Sequence, residues 1–338
     1  MHVNHRANKG KSKVLRGCIV LLVAVLVILG VAVFARKAEK EITVDVQHAN
    51  ERLTYDGNTA ETDERIYIDG GWYTPKQNLE TYLIMGVDNF ETIESMDAYN
   101  STSQSDFNLL LVYDKQTNEA CAIHLNRDTM TQIPVLSISG KEVGTFTGQL
   151  ALAYAYGTTE QSCCENQAKA VESLLNGQNV DHYVSMTMSA IPILNDGVGG
   201  VSVTITDDFS DSDPTLVQGE TVLLMGEHAL KYVRARSSVG EGTNLERMRR
   251  QREYMQAWIE KAKALTEDQM TDIFADLTNY MCSDCTINDL KQLASIVQEA
   301  TQGEIYSIEG EAKHGKTFIE FYPDEAALQQ LVLDIFYN

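Results

Sequence analysis

Six arginines, Arg234, Arg236, Arg247, Arg249, Arg250 and Arg252, crowd one stretch of a chain whose formal net charge is −21. The guanidinium is the side chain suited to planar, two-point recognition of phosphate, although basic runs also serve as solvated or salt-bridged faces. On a helix over 245–265, at 100° per residue, Leu245, Met248, Met255, Ile259 and Ala262 form an apolar stripe. Arg247 and Gln251, four apart, sit at one edge of it with Arg250 beside them, while Arg249 points away. The expectation is a partly buried edge of Arg247, Arg250 and Gln251 able to hold a phosphate head group. Arg234 and Arg236 follow a helical run at 227–233; an extended chain there would send both to one face. Arg127 could then complete a three-sided clamp around two phosphates.

The second group is acidic. Asp88 follows the apolar run 82–87, Asp106 precedes the run 108–113, and Arg127-Asp128 follow the run 120–125. Strand ends are where open α/β sheets bind ligands. Carboxylates with no neighbouring histidine or thiolate suit a hard ion such as Mg2+ or Mn2+, although aspartates in such places also cap turns and helices. There is no Walker loop, GxSxG elbow, HExxH motif or zinc-ligand spacing. His124 on an apolar strand reads as a core histidine, and Tyr154 and Tyr156 in a helical run read as packing.

The elements that must position these groups are strands at 82–87, 108–113 and 120–125, the last two joined by a turn at 114–118. Helices are expected at 148–156, 165–175, 189–194, 227–233 and 245–265, with strands at 180–186 and 201–205. Two or three helices and a strand near 318–321 would complete the tail. Strands interleaved with helices indicate an α/β fold, a central mixed sheet covered by helices.

Ahead of this lies an uncharged stretch, residues 17–35. At about 1.5 Å per residue it spans roughly 28 Å, close to a bilayer's hydrocarbon thickness. Arg6, Lys9, Lys11, Lys13 and Arg16 precede it without an acid, which predicts a cytoplasmic tail (1–16), a single transmembrane anchor (17–35) and an external remainder. A cleaved signal peptide is the alternative, but the apolar core exceeds the usual length. Residues 36–76 are polar and read as a stalk, leaving 77–338 as the domain. The acidic balance disfavours nucleic acid. Of six cysteines, five would lie outside, where a disulfide from the Cys282–Cys285 pair to Cys163 or Cys164 is expected, reduced buried thiols being the alternative.

The stretches YLIMGVDNF from Tyr82, QSDFNLLLVYDKQTNEACAIHLNRDTM from Gln104, LALAYAYG from Leu150 and LKYVRARSSVGEGTNLERMRRQREY from Leu230 resemble, in order and spacing, the LytR–CpsA–Psr family of cell-wall phosphotransferases. The resemblance covers roughly 81–258, with 259–338 as a helical C-terminal part. It implies an α/β/α domain with an apolar tunnel for a polyprenyl chain, a pyrophosphate and Mg2+ at its mouth, and a membrane-lipid partner. It further implies that Asp88 and Asp106 hold the metal, that Arg127, Arg234, Arg236 and Arg247 bind the phosphates with Gln251, and that Asp128 orients its neighbours. Two family cations are neutral amides here, Gln104 and Gln149. The function expected is transfer of a teichoic-acid-like or capsular glycan from a polyprenyl pyrophosphate to a peptidoglycan hydroxyl. A non-catalytic receptor for the lipid-linked glycan and a prenyl-pyrophosphate hydrolase are the alternatives.

Overall fold

Alternating apolar residues in three adjacent runs build the centre of the molecule. The computed structural model describes residues 65–68, 70–93, 103–236, 239–240 and 242–338; the expected anchor at 17–35 and the stalk up to residue 64 lie outside the described residues. The elements in order are β1 (Ile66–Ile68), β2 (Gly71–Tyr73), β3 (Leu79–Val87), β4 (Ser105–Asp114), β5 (Glu119–Leu125), β6 (Met130–Leu136) and β7 (Glu142–Gln149). A 3-10 segment (Leu150–Tyr156) follows, then α1 (Glu160–Leu174), β8 (His182–Thr187), α2 (Ala190–Gly197), β9 (Val201–Thr204), β10 (Thr221–Leu224) and α3 (Glu227–Arg234). The last third comprises α4 (Asn244–Ala262), α5 (Glu267–Leu277), β11 (Met281–Ser283), α6 (Ile287–Glu299), β12 (Thr301–Ser307), β13 (Gly310–His314), β14 (Ile319–Pro323) and α7 (Glu325–Phe336).

Six strands form one mixed sheet in the order β11-β8-β3-β4-β5-β12. The period of two sorts their side chains. Leu83, Met85 and Val87 of β3, Leu110 and Val112 of β4, and Ile123 and Leu125 of β5 face one side, where they pack against Val171 and Leu174 of α1 and Val332 and Ile335 of α7. Ile84, Gly86, Phe107, Leu109, Leu111, Val184 and Met186 face the other side, where α2, α4, α5 and α6 stand off to leave a cavity. One face is therefore a dry core and the other the wall of a chamber.

Three expectations are corrected. Residues 66–76, read as stalk, belong to the fold: β1 and β2 pair, and the backbones of Thr74 and Asn338 exchange hydrogen bonds of 3.0 and 2.8 Å. The helix expected over 148–156 is a strand end followed by a 3-10 segment. Gly148 and Gln149 still pair with Thr131 and Met130, and the NH groups of Leu150 and Ala151 donate to the carbonyls of Thr129 and Arg127. The expected disulfide is not formed; Cys121, Cys163, Cys164, Cys282 and Cys285 are free thiols. Cys164 and Cys282 are in contact, and the Cys164 thiol is held well above its ordinary range by its hydrogen bond to Cys282 and by burial.

Candidate active site at the mouth of an apolar cavity

Strand directions bring the candidate residues to one end of the sheet. β4 runs antiparallel to β3 with Val87 opposite Ser105, so Asp88, just past β3, meets Asp106, near the start of β4. β5 runs antiparallel to β4 with Leu125 opposite Asn108, which delivers Arg127 and Asp128 to the same end. The Gln104 NH donates to Asp88 Oδ1 at 2.6 Å. Arg127 donates to Asp106 Oδ1 and to the Gln104 side-chain oxygen. From α4, Arg247 Nη1 donates to Asp106 Oδ2 at 3.0 Å and Nη2 to Asn244 Oδ1 at 2.6 Å. Asp128, 3% exposed, stands 3.4 Å from Arg127 Nε and 3.7 Å from Arg236 Nη2. Arg234, at the end of α3, lies over the Phe90 ring at 5.1 Å.

Four guanidiniums thus face three carboxylates; Arg127, Arg247, Asp106 and Asp128 are largely buried, whereas Asp88 and Arg234 are open to solvent. Burial, then the charge of Arg236, pulls Arg247 down to about 10. Burial also lowers Arg127, with Arg247 and Arg236 adding repulsion. Desolvation raises the Asp88 carboxyl in spite of its hydrogen bond from Gln104. Such a cluster is short of negative charge, and a polyanion would relieve it.

Asp106, Arg234, Arg247 and Gln251 are also among the few polar groups lining the cavity, whose volume is about 270 Å3. That lies near the lower end of ligand pockets, roughly 300–1,000 Å3. Its deeper walls are hydrocarbon and aromatic: Leu109 and Leu111 from the sheet, Trp258 and Ile259 from α4, Phe274 from α5 and Ile296 from α6. Gln251 bridges two of its helices, donating to the Val233 carbonyl at 3.1 Å.

Other candidates are placed differently. Arg250, expected beside Arg247 at the phosphate edge, is 1% exposed and turned away: it bonds Asp207 Oδ2 at 2.7 Å and the Ala235 carbonyl, under Phe209. Sixty degrees of helix separates it from Arg247, and the loop after β9 supplies the acid that captures it. Arg249 pairs with Asp207 and Glu253, away from the cavity. Leu245, assigned to the apolar stripe, is half exposed. Gln149 is buried behind the site, donating to Asp128 Oδ1 at 3.1 Å and to the Ile319 carbonyl at 2.7 Å. Unforeseen was the Asn126–Asn244 pair, bonded at 2.7 Å, which ties the loop of Arg127 to the first residue of α4. The one sequence signal for it was the Thr243-Asn244 helix start. His124 is buried, its pKa pulled down to about 3 by desolvation, and Tyr154 is packed in the core.

The Asp88 and Asp106 donor set is all carboxylate oxygen, as a hard divalent ion requires. Asp88 fits, since a cation would offset the desolvation of its carboxylate. Asp106 already holds a guanidinium on each oxygen, so its carboxylate would be shared between the ion and those two arginines.

Relatives agree with this architecture. TagU of Bacillus subtilis (strain 168), named a polyisoprenyl-teichoic acid–peptidoglycan teichoic acid transferase, is 24% identical over 334 residues, 98% of this chain and 97% of that one. A TagU of Enterococcus faecalis is 27% identical over 213 residues, 63% of each chain. The expectation of an enzyme agrees with these transferases. Among solved structures, a Streptococcus agalactiae protein superposes with a TM-score of 0.63 at 24% identity, covering 77% of this chain and 90% of that one. B. subtilis TagT superposes with 0.57 at 22%, again over 77% and 90%. Both share the mixed sheet flanked by helices. The sequence profile of the LytR_cpsA_psr family matches residues 35–333, and the chain belongs to that family.

Proposed function

We propose that this chain is a phosphotransferase that moves a glycopolymer from a polyprenyl-pyrophosphate carrier to a peptidoglycan hydroxyl, anchored by residues 17–35 at the outer face of a cell membrane. One observation carries the reading: a cavity with hydrocarbon walls opens directly onto Arg234 and Arg247. A prenyl tail needs the first and a pyrophosphate the second. The named activity of the TagU relatives supports the same reading.

In the reaction the acceptor oxygen bonds to the sugar-linked phosphorus. The bond from that phosphorus to the bridging oxygen breaks, prenyl monophosphate leaves, and the hydroxyl loses its proton. Negative charge grows on the phosphoryl and leaving oxygens. Arg127, Arg234, Arg236 and Arg247 would stabilise it, and because Asp106, Asp128, Gln104 and Asn244 already fix three of them, little reorganisation is needed. With both oxygens engaged, Asp106 serves to position guanidiniums rather than to take the proton. A Mg2+ or Mn2+ ion held by Asp88 and Asp106 would add charge neutralisation at the same oxygens.

The test is glycan transfer by the full chain in detergent, comparing long and short prenyl donors. Ala294 lines the cavity from α6, so Ala294→Trp should weaken the long donor at least tenfold and the short one little. Equal effects on both would remove the cavity from the carrier's site. Prenyl phosphate release without glycan joining would make the chain a hydrolase, and binding without turnover would make it a receptor.

A further inference from the structure

A second group of chemistry-bearing side chains lies at the opposite end of the sheet. His182 opens β8, while Asp284 and Cys285 follow β11. The two strands pair antiparallel, Ser283 opposite Val184, which brings together residues a hundred positions apart in sequence. Their ligand atoms all lie within 4.8 Å of one another, the one such histidine–cysteine–carboxylate group among the described residues. The geometry is braced from several sides. Asp284 Oδ1 accepts the Tyr183 NH at 2.8 Å, and Cys285 Sγ is 3.9 Å from the same carboxylate oxygen. The Cys285 NH is held by Ser283 Oγ at 3.0 Å. The His182 ring stacks on Tyr82 with centroids 5.0 Å apart, and Glu80 Oε1 stands 3.7 Å from its Nε2.

We propose that His182, Asp284 and Cys285 form a zinc site. One imidazole nitrogen, one thiolate and one carboxylate make a donor set of borderline softness, which suits Zn2+ and excludes Mg2+ or Ca2+. Three protein ligands leave a fourth position for water. Glu80 stands where a carboxylate orients a ligating imidazole. The surroundings favour a cation: Glu80, Asp284 and the capping Asp289 gather there with Lys115, which pairs with Glu80 at 3.2 Å, as the nearby base. Binding converts the Cys285 thiol to a zinc thiolate and releases its proton to solvent.

The site has a consequence for the cavity. It joins β8 to the connection between β11 and α6, and both β11 (Met281) and α6 (Leu293, Ala294) supply cavity wall. Zinc would therefore act as a staple behind this part of the cavity wall, independently of the proposed transfer.

The test uses the full chain in detergent, without a histidine tag, stripped by chelator and titrated with Zn2+ by calorimetry and with Co2+ by absorption. One equivalent of Zn2+ should bind, and Co2+ should give a near-ultraviolet sulfur-to-cobalt charge-transfer band. Cys285→Ser should abolish the band and weaken Zn2+ at least tenfold, and His182→Ala should weaken Zn2+ comparably. Cys121→Ser, on β5, should change neither reading. Circular dichroism checks the fold of each variant. A wild-type protein without the band, or a band that survives Cys285→Ser, overturns the proposal.

Discussion

Arg247 and Arg250 are three residues apart on one helix and both buried, yet the structure gives them opposite work, which makes them a sharp pair to perturb. Arg250→Met leaves Asp207, whose side chain is 10% exposed, with Arg249 as its remaining partner at 2.5 Å. It also removes the bond to the Ala235 carbonyl and the contact with Phe209. Removing one member of a buried pair costs about 3–5 kcal/mol; the surviving Arg249 puts this case near the lower end. At roughly 2–4 °C per kcal/mol for a domain of this size, Tm should fall by roughly 6–12 °C, while the folded fraction keeps its activity. Arg247→Met differs in sign. Burial, chiefly, pulls that guanidinium down to about 10, so at pH 7, below both this and its ordinary value, the fold disfavours the charge by about 3 kcal/mol. That figure is net of its partners, and Asp106 retains Arg127. Tm should therefore stay within about 3 °C of the parent or rise, while transfer falls by roughly a hundredfold or more. The assays are thermal melting by circular dichroism and glycan transfer from a lipid pyrophosphate, both on the full chain. Equal loss of Tm in the two variants, or an inactive Arg250→Met that melts like the parent, would refute the division of roles.

Further expectations separate the site from its surroundings. Arg127→Ala, Arg234→Ala and Arg236→Ala should each lower turnover by roughly a hundredfold, whereas Arg249→Ala should be active; equal, mild effects at all four would favour a solvated basic face. Asp88→Ala should abolish stimulation by Mg2+ without lowering Tm, and full activity in a chelator would remove the ion from the reaction. Asp213 accepts from Thr215 Oγ1 at 2.6 Å and Lys231 at 3.1 Å, which together hold its pKa at about 2. The stabilisation, about 2 kcal/mol, is present above the ordinary value of 3.8 and lost as pH falls through 2. Asp213→Asn should therefore lower the urea midpoint at pH 7 and lower it much less near pH 2; a difference independent of pH would show that the carboxylate contributes nothing through its charge.

The strands that carry the site were legible because each is a buried run ending in a charged residue. Asp88, Asp106 and Arg127 follow from that pattern, and their convergence follows from antiparallel pairing. The β6–β7 ribbon was not legible: Pro134 interrupts one strand, and the other is largely exposed, so neither shows a two-residue apolar period. The 150–156 segment imitates a helix through its leucines and alanines, while its backbone is committed to the ribbon. Arg250 misled because helical phase separates it from Arg247 by only 60°, and nothing in the sequence announces that the loop after β9 returns to place Asp207 against it. The His182–Asp284–Cys285 group was invisible for the same reason, since its members meet only through the pairing of β8 with β11.

The seam between the two ends of the fold has a mechanical consequence. Thr74 and Asn338 exchange both backbone bonds, the Lys76 NH donates to the Phe336 carbonyl at 2.9 Å, and Lys76 Nζ reaches the Ile335 carbonyl at 2.9 Å. The segment that follows β2 is therefore tied to the end of α7. Tension arriving at Thr74 from the β1–β2 hairpin loads this short antiparallel seam and α7, whose Val332, Ile335 and Phe336 are anchored in the dry core, before it reaches β3. A pull that frays the last residues would register first as opening of the seam, a local event of low free energy. Deleting the final two residues removes half of the coupling, so a chain truncated at 336 should yield to stretching at a lower force than the intact one.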